Sequence, residues 1–171
     1  MRIRRFQTAD ARDVSALIIR TMRTSNAKDY PPDLLEEVIS RQRTEDVLTR
    51  ASWTHFYVAE EAGELIGCGA IGPYWDSASE SSLFSFFVAP EQQGRGIGRA
   101  IMETLEADEF FLRASRIEIP ASITALGFYQ KMGYTFKKGC SRPDSERLYR
   151  LEKFRCKAQA APGLRAAGDD R

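Results

Sequence analysis

The sequence predicts one α/β domain built around a mixed β-sheet. Three observations lead to this prediction. The length of 171 residues suits a single domain, and 43% hydrophobic with 29% charged residues is typical of a globular protein. Strand-like segments alternate with helical patterns along most of the chain. Two of the predicted helices cross between strands that can run parallel, so the sheet is expected to be mixed.

The first third of the chain predicts one strand and three helices. Residues 2–6 alternate weakly in polarity and predict the opening strand, after which Thr8 or Asp10 can cap the first helix. The prolines and Asn26 within residues 25–33 predict a loop between the first and second helices. Each helix has apolar residues at helical spacing, which give it one buried face. These helical patterns cover residues 14–22, 34–39 and 44–52, with Thr44 as a candidate cap.

The middle of the chain predicts a hairpin and a buried strand. Residues 55–60 and 65–72 have strand patterns on either side of a turn, so an antiparallel hairpin is expected. A polar connection then leads to residues 81–89, which are almost entirely apolar from Leu83 onward. Such a run suits a central strand that is buried on both faces and ends at Pro90.

The last third continues the alternation of helices and strands. A long helical pattern starts at Ile97 and reaches about Arg113, and a strand follows at residues 116–121. Residues 125–132 predict a short helix that ends at a glycine, and two further strand candidates complete the fold. These elements define a domain over residues 1–154. The tail, residues 155–171, is rich in alanine and poor in large aliphatic residues, so we expect it to be disordered.

Charge and composition exclude several classes of function. Lys and Arg number 25 against 24 Asp and Glu, so no strong positive field favours nucleic acid as a partner. The longest uncharged apolar stretch, residues 65–75, is too short to span a membrane, and the N-terminus lacks the apolar region of a signal peptide. Three distant cysteines and one histidine argue against a disulfide framework and a metal site. We therefore expect a reduced, cytoplasmic protein.

One segment, FFVAPEQQGRGIGRAIM at residues 86–102, carries a chemical signal. Three glycines at alternate positions lead from a buried strand into a helix. The first turn of a helix has free N–H groups and the positive end of the helix dipole, and glycines let the backbone approach an anion closely. Arg95 and Arg99 add two positive charges, so the segment predicts a phosphate or pyrophosphate site. The glycines are Gly94, Gly96 and Gly98.

The common nucleotide motifs do not match this segment. It lacks the GxxxxGK[ST] pattern of a P-loop, and Arg99 stands where the third glycine of a GxGxxG pattern belongs. From spacing alone, a purely structural glycine-rich turn stays open as an alternative.

The segment resembles the acetyl-CoA-binding motif of the GNAT N-acetyltransferase superfamily, Q/R-x-x-G-x-G/A, which runs here in full from Gln93 to Gly98. Residues 121–136 resemble a later motif of the same superfamily and match it at Phe128, Tyr129 and Lys131. This second segment departs from the motif at its usual asparagine, where residues 122–124 offer only hydroxyls. The resemblance covers residues 1–154, because the order of elements also matches.

The resemblance implies a GNAT-like fold in which the two central parallel strands splay apart. It also implies acetyl-CoA as co-substrate, no metal, and direct transfer of the acetyl group to an amine. A backbone N–H near Phe87 or Val88 would polarise the thioester carbonyl. The residues that this resemblance assigns to acetyl-CoA binding are Phe87, Val88, Gln93, Gly94, Arg95, Gly96, Ile97, Gly98, Arg99, Thr124, Phe128 and Lys131.

The same resemblance assigns proton-transfer roles. Tyr129 stands at the position of the superfamily's acid, which would protonate the leaving thiolate. An alkyl ammonium with a pKa near ~10 must lose a proton before attack. Ser82 occupies the place of the usual basic carboxylate, which leaves Glu80, Glu118, His55 or a chain of water molecules as candidates.

The acceptor is not determined by the sequence. Tyr30, Tyr74 and Trp75 lie in or near loops that the resemblance places around an acceptor pocket. A larger acyl group or an oxygen acceptor is an alternative within the enzymes. A domain that senses acetyl-CoA without catalysis and a nucleotide-binding protein are alternatives from other classes. A homodimer is an expectation that comes from the resemblance alone.

Overall fold

Seven β-strands form the centre of the computed structural model, which describes residues 1–155. The strands are β1 (Arg2–Arg5), β2 (His55–Glu61), β3 (Glu64–Pro73), β4 (Glu80–Val88), β5 (Arg116–Ala121), β6 (Thr135–Phe136) and β7 (Tyr149–Phe154). They make one sheet in the order β1-β2-β3-β4-β5-β7-β6. Within it only β4 and β5 are parallel neighbours, which gives the mixed sheet that the sequence predicts. The predicted tail lies outside the described residues, apart from Arg155.

Within residues 1–155, six α-helices cover the two faces of this sheet. The helices are α1 (Ala11–Thr21), α2 (Pro32–Ile39), α3 (Thr44–Ala51), α4 (Ile97–Glu106), α5 (Glu109–Arg113) and α6 (Leu126–Lys131). Helices α1 to α3 bury one cluster with side chains such as Val14, Ile18 and Val47. Helices α4 to α6 bury a second cluster on the other face, which includes Ile101 and Leu105. None of these six helices is long and apolar enough to cross a membrane.

The two parallel strands separate after a short contact. Strands β4 and β5 pair only over Glu80–Ser82 and Arg116–Glu118, although β4 continues to Val88. The predicted splay is therefore confirmed. It also corrects the expectation of a strand buried on both faces, because only the first part of β4 is buried while Phe84 to Val88 are half-buried. The physical reason is the departure of β5, which leaves one edge of β4 without a strand partner.

The predicted long helix from Ile97 to Arg113 is two helices, α4 and α5. The break lies at Asp108, whose carboxylate accepts the backbone N–H of Phe110 (2.8 Å) and so caps α5. An aspartate in this position satisfies an N–H group that would otherwise have no partner, so it starts a new helix rather than continuing the old one.

The predicted loop at residues 25–33 is partly helical. Helix α1 continues directly into a π-helical segment, Met22–Asn26, and α2 begins at Pro32. Proline suits the first position of a helix because its missing N–H group needs no partner there. The predicted caps also differ. Asp10 directly precedes α1, but its carboxylate accepts the N–H of Gln7 (2.7 Å) and no N–H of α1. Thr44 is the first residue of α3, and Arg43 takes the cap position before it.

The second crossover does not add a parallel pair. Strand β7 lies between β5 and β6 and is antiparallel to both, so β5 and β6 run in the same direction without touching. The chain thereby returns to the sheet beside β5, which leaves the gap between β4 and β5 unfilled.

Candidate functional site

A cavity of about 350 Å³ opens where β4 and β5 separate. Its walls include most of the residues that the sequence predicts for acetyl-CoA binding. They also include residues of α1 and the π-helical segment, which the sequence did not predict. The lining residues are Thr21, Ser25, Asn26, Phe86, Phe87, Val88, Gln92, Gln93, Gly94, Gly96, Ile97, Gly98, Arg99, Ser122, Thr124, Ala125 and Phe128.

One wall of the cavity presents a run of backbone N–H groups that have no acceptor. The N–H groups from Gly94 to Arg99 donate to no oxygen of residues 1–155, whereas the next one, of Ala100, donates to the carbonyl of Gly96 (3.1 Å). The positive end of the α4 dipole lies at the same place. Consecutive free N–H groups at a helix N-terminus bind phosphate oxygens well, so this wall can hold a pyrophosphate. We call the backbone of residues 94–99 the cradle.

Glycine is required in the cradle for two different reasons. Gly94 and Gly96 have φ angles of +81° and +83°, a left-handed conformation that other residues adopt only at a cost. Apart from the adjacent residues, no atom of residues 1–155 lies within 4 Å of the Cβ position at either glycine, so space is not the constraint there. At Gly98 space is the constraint, because a Cβ would lie 3.2 Å from the ring of Phe128. Gly98 therefore lets α4 approach the opposite wall of the cavity.

Gln93 fixes the turn between β4 and α4. Its Nε2 donates to the carbonyl of Val88 (3.1 Å) and to Oγ of Ser25 (3.0 Å). The carbonyl of Val88 therefore faces the gap beside β4, and the N–H of the same residue shares that direction in an extended strand. The N–H of Ala89 donates to the carbonyl of Ile66 on β3 (2.9 Å). Residues two positions apart in a strand direct their backbone N–H and C=O groups to the same side, so the backbone groups of Phe87 also face β3. Of the two predicted donors to a thioester carbonyl, only Val88 points into the gap.

The three predicted cationic side chains lie in different places. Arg99 lines the cavity. Arg95 points away from it and forms an ion pair with Glu61 on β2 (3.0 Å), and it also donates to Gln92. Lys131 is exposed and does not line the cavity. The structure thus brings one of the three cations to the cradle.

The turn before α6 is tied to the chain that follows α1. Oγ1 of Thr124 donates to the Asp29 carboxylate (2.6 Å), and the Tyr30 hydroxyl accepts the backbone N–H of Ile123 (2.8 Å). Tyr30 also donates to the carbonyl of Arg147 (3.2 Å), and its burial raises the pKa of its hydroxyl. Tyr30 therefore lies beside the rim of the cavity, because its hydrogen-bond partner Ile123 is adjacent to Thr124, which lines it.

Tyr129 lies behind two aromatic residues of the cavity wall. Its ring centre is 5.9 Å from that of Phe86 and 5.4 Å from that of Phe128. The side chain is buried, and burial raises the pKa of its hydroxyl. The hydroxyl has no hydrogen-bond partner among residues 1–155. Every fully buried side-chain oxygen or nitrogen in that range does have a partner. The hydroxyl oxygen therefore reaches accessible space.

Glu80 and Glu118 lie at the other end of β4 and β5, where the two strands are paired. Arg116 donates to Glu80 (2.8 Å) and to Glu118 (2.7 Å), and Lys137 donates to Glu118 (2.7 Å). The hydrogen bond from Arg116 lowers the pKa of Glu80. Burial raises the pKa of Glu118, but the hydrogen bonds from Lys137 and Arg116 outweigh it and lower that pKa overall. The structure does not bring either carboxylate to the cavity wall.

Tyr74 and Trp75 are not brought to the cavity either. The backbone N–H of Tyr74 donates to the carbonyl of Glu80 at the start of β4, and Arg116 lies over the Tyr74 ring (5.2 Å). Trp75 is 86% exposed in the loop before β4. Both residues thus lie at the paired end of the strands, while the cavity lies at the splayed end. Among the three predicted acceptor residues, only Tyr30 is near the cavity.

The π-helical segment contributes to the cavity wall, which the sequence did not predict. Ser25 and the buried Asn26 line the cavity, because α1 continues one turn beyond its apolar pattern. The apolar spacing ends at Met22, and the following residues carry the polar composition of a loop. No local signal in the sequence identifies them as part of a wall.

Across the described part of the chain, no group of three or more His, Cys, Asp or Glu residues is placed to hold a metal ion.

Comparisons with known proteins identify the family. Residues 52–136 match the family described as acetyltransferase (GNAT) domain. An Escherichia coli (strain K12) protein, the uncharacterized N-acetyltransferase YafP, is 25% identical over 137 residues, which cover 78% of this chain and 81% of that protein.

Solved structures show the same fold. The PaiA N-acetyltransferase from Thermoplasma acidophilum, in complex with coenzyme A, has a TM-score of 0.75 at 18% identity and covers 90% of this chain and 98% of its own. Ard1 from Thermoplasma volcanium has a TM-score of 0.66 at 18% identity and covers 91% of this chain and 98% of its own.

Proposed function

This chain belongs to the GNAT acetyltransferases, and from that premise we propose that it transfers the acetyl group of acetyl-CoA to a primary amine. The observation that carries the proposal is the cradle, whose free N–H groups lie beside a cavity that reaches the open edge of β4. The relative from T. acidophilum, whose structure contains coenzyme A, has the same fold.

The residues present fit acetyl-CoA in two independent ways. The cradle offers donors for a pyrophosphate, and the hydroxyl of the buried Tyr129 side chain reaches accessible space with no hydrogen-bond partner among residues 1–155. We assign the pyrophosphate to the cradle and to Arg99. Arg95 forms only an exposed ion pair with Glu61, which is worth little energy, so it can turn to the same anion. Thr124 and Phe128 form the wall along which the pantetheine arm would lie.

The open edge of β4 supplies the group that polarises the donor. Acetyl-CoA brings an activated acyl group in the form of a thioester. The N–H of Val88 faces the gap, has no strand partner on that side, and is fixed in place through Gln93. A preorganised N–H donor of this kind stabilises the negative charge that develops on a carbonyl oxygen. Because Phe87 turns its backbone toward β3, we assign this role to Val88.

Tyr129 is the group we assign to the leaving sulfur. Since burial raises its pKa above the ordinary value, the hydroxyl stays protonated at neutral pH and can donate. A thiol has a pKa near ~8.5, so complete transfer of the tyrosine proton to a thiolate would be uphill. We therefore propose that Tyr129 stabilises the sulfur by a hydrogen bond and that solvent delivers the final proton.

The proton of the acceptor ammonium is the second requirement. Glu80 and Glu118 have lowered pKa values and are already bound by Arg116, so they are weak bases that lie away from the cavity. Ser82, at the expected place of a base, is buried and donates to the carbonyl of Glu118 (2.9 Å). We propose that water, rather than a carboxylate of this chain, carries the ammonium proton away.

Two measurements test this proposal. Calorimetric titration with acetyl-CoA tests donor binding, and release of free CoA in the presence of a panel of primary amines tests transfer. Binding together with amine-dependent release supports an enzyme. Binding without release from any amine would favour a sensor of acetyl-CoA. Loss of acetyl-CoA binding in the presence of ATP or NAD, but not of CoA, would contradict the assignment of the cradle.

A further inference from the structure

Arg50, on α3, is a half-buried cation without a counterion in the described chain. Its Nη1 donates to Oγ of Ser85 (2.5 Å) and to Oε1 of Gln42 (3.3 Å), and both of these acceptors are neutral. Asp46 is the carboxylate that attracts Arg50 electrostatically, but it already forms an ion pair with Arg43 (3.1 Å). Burial accordingly lowers the pKa of Arg50.

Two other half-buried arginines, Arg4 and Arg116, are balanced by carboxylates. Arg4 is paired with Asp10 (2.7 Å) and Glu60 (2.9 Å). Arg116 is paired with three carboxylates, those of Glu80, Glu118 and Glu152. A half-buried charge normally acquires such partners because leaving it unpaired is costly. Arg50 differs from Arg4 and Arg116 in this respect.

The guanidinium of Arg50 has donors to spare. Its Nε and Nη2 donate to no group of residues 1–155. No fully buried side-chain nitrogen in that range lacks a partner, so both atoms reach accessible space. These two nitrogens form the side of a guanidinium that binds a carboxylate through two parallel hydrogen bonds.

Arg50 contacts β4 at Ser85, one residue before the cavity wall begins. Ser85 is the extra residue of a bulge in β4, with φ +46°, and it directly precedes Phe86, which lines the cavity. Arg50 lies on the face of the sheet that carries α1 to α3, which is opposite to the face that carries α4 and the cradle. On that same face, Trp53 packs against Phe84 (4.9 Å between ring centres) and is 45% exposed.

We propose that Arg50 binds a carboxylate of the acceptor, so that the substrate is an amine that also carries a carboxylate, as an amino acid does. This inference rests on the proposed function, because it concerns the same acceptor: the amine attacks the thioester, and the carboxylate of that molecule binds Arg50. Because the cradle lies at the start of α4, on the opposite face, we place the acceptor on the α3 face of β4, where Arg50 is a half-buried cation without a carboxylate partner among residues 1–155.

An alternative role is purely positional. Arg50 could hold Ser85 in its left-handed conformation and thereby fix the bulge beside Phe86. The two roles differ in what they predict, since a positional role affects every acceptor equally, whereas a carboxylate site affects only acids.

Matched pairs of acceptors separate these roles. Glycine and phenylalanine are each compared with their α-amides in the CoA-release assay, using wild type, Arg50→Gln, Arg50→Lys and Ser85→Ala. Arg50→Gln is expected to lower kcat/KM for the acids by about 10- to 100-fold, with little change for the amides. Arg50→Lys should recover part of the loss because it keeps the charge. Each compound is compared between variant and wild type, so differences in amine pKa cancel.

Ser85→Ala is the control for the positional role, because it removes the contact with Arg50 and keeps the cation. A carboxylate site predicts that this variant retains the preference for acids. Equal losses for acids and amides in both Arg50→Gln and Ser85→Ala would assign Arg50 to the bulge and overturn the inference, while the proposed function would stand.

A binding measurement keeps the inference testable without turnover. N-acetylglycine, a carboxylate without a free amine, is titrated while the backbone amide signals of Ser85 and Phe86 are followed by NMR, with N-acetylglycinamide as the neutral control. The acid is expected to shift these signals in wild type and to bind about 10-fold or more weakly to Arg50→Gln. No shift in wild type, or equal affinity in the variant, would overturn the inference. Failure of the protein to bind acetyl-CoA would instead count against the proposed function.

Discussion

The conformation of Gly96 allows a quantitative test of the cradle. Its φ of +83° costs a residue with a Cβ about 1–2 kcal/mol, and no atom lies within 4 Å of the Cβ position. The substitution Gly96→Ala therefore introduces backbone strain and no clash. The cradle N–H groups have no partners in the described chain, so the free protein can relax the strain at little cost.

Acetyl-CoA must then restore the strained conformation when it binds. The strain of about 1–2 kcal/mol consequently appears as weaker binding, and about 5- to 30-fold loss of affinity is expected in a calorimetric titration. Gly96→Asn should lose less, since asparagine adopts the left-handed conformation more readily.

Gly63 provides a matched control. It also has φ +83° and no atom within 4 Å of its Cβ position, but it lies in the turn between β2 and β3. Gly63→Ala should lower the free energy of unfolding by about 1–2 kcal/mol and leave acetyl-CoA affinity unchanged. The reasoning is refuted if Gly96→Ala binds acetyl-CoA as tightly as wild type, or if Gly63→Ala weakens binding to the same extent.

Three further predictions concern residues around the site. Tyr129→Phe should lower kcat by about 100-fold and leave the Kd for acetyl-CoA unchanged, because the ring keeps its contacts and only the hydrogen bond to sulfur is lost; an unchanged kcat in steady-state assays would contradict this. Glu118→Gln should reduce the free energy of unfolding by about 3–5 kcal/mol at pH 7. Since the pKa of Glu118 is lowered in the folded state, its stabilisation is present above the unfolded pKa of ~4.5 and is lost as the pH falls through the folded value. Denaturant titrations should therefore show the difference between the two proteins shrinking as the pH falls below ~4.5; a constant difference would count against the ion pairs. Burial raises the pKa of the Cys68 thiol to about 12, so Cys68 is a poor nucleophile and Cys68→Ala should retain kcat; loss of turnover in a correctly folded variant would point to covalent catalysis.

The sequence predicts the elements of the fold well where a local pattern determines them. The helical spacing of α1 and α4 and the glycines of the cradle are local features, and each element they predict is present. The break at Asp108 was also signalled locally, by an acidic cap followed by Glu109, but the apolar residues beyond it continued a helical pattern. The resemblance to a family, rather than any local pattern, supplied the splay of β4 and β5.

Features of the site that depend on distant contacts could not be predicted. Nothing near Glu80 in the sequence shows that Arg116 binds it, because the two residues meet only through the pairing of β4 with β5. The turning of Arg95 toward Glu61 likewise depends on how α4 lies against β2. Arg50 carries no signal of its own, since its unusual property is the lack of a counterion among residues 1–155 of the folded protein.

Calorimetric titration of the full chain with acetyl-CoA is the most direct test that the cradle binds the donor. We expect saturable binding at about one site per chain, which CoA inhibits by competition and which Gly96→Ala weakens while Gly63→Ala does not. Absence of heat from acetyl-CoA, together with unchanged thermal stability at high concentrations of it, would show that the cradle is only a structural turn.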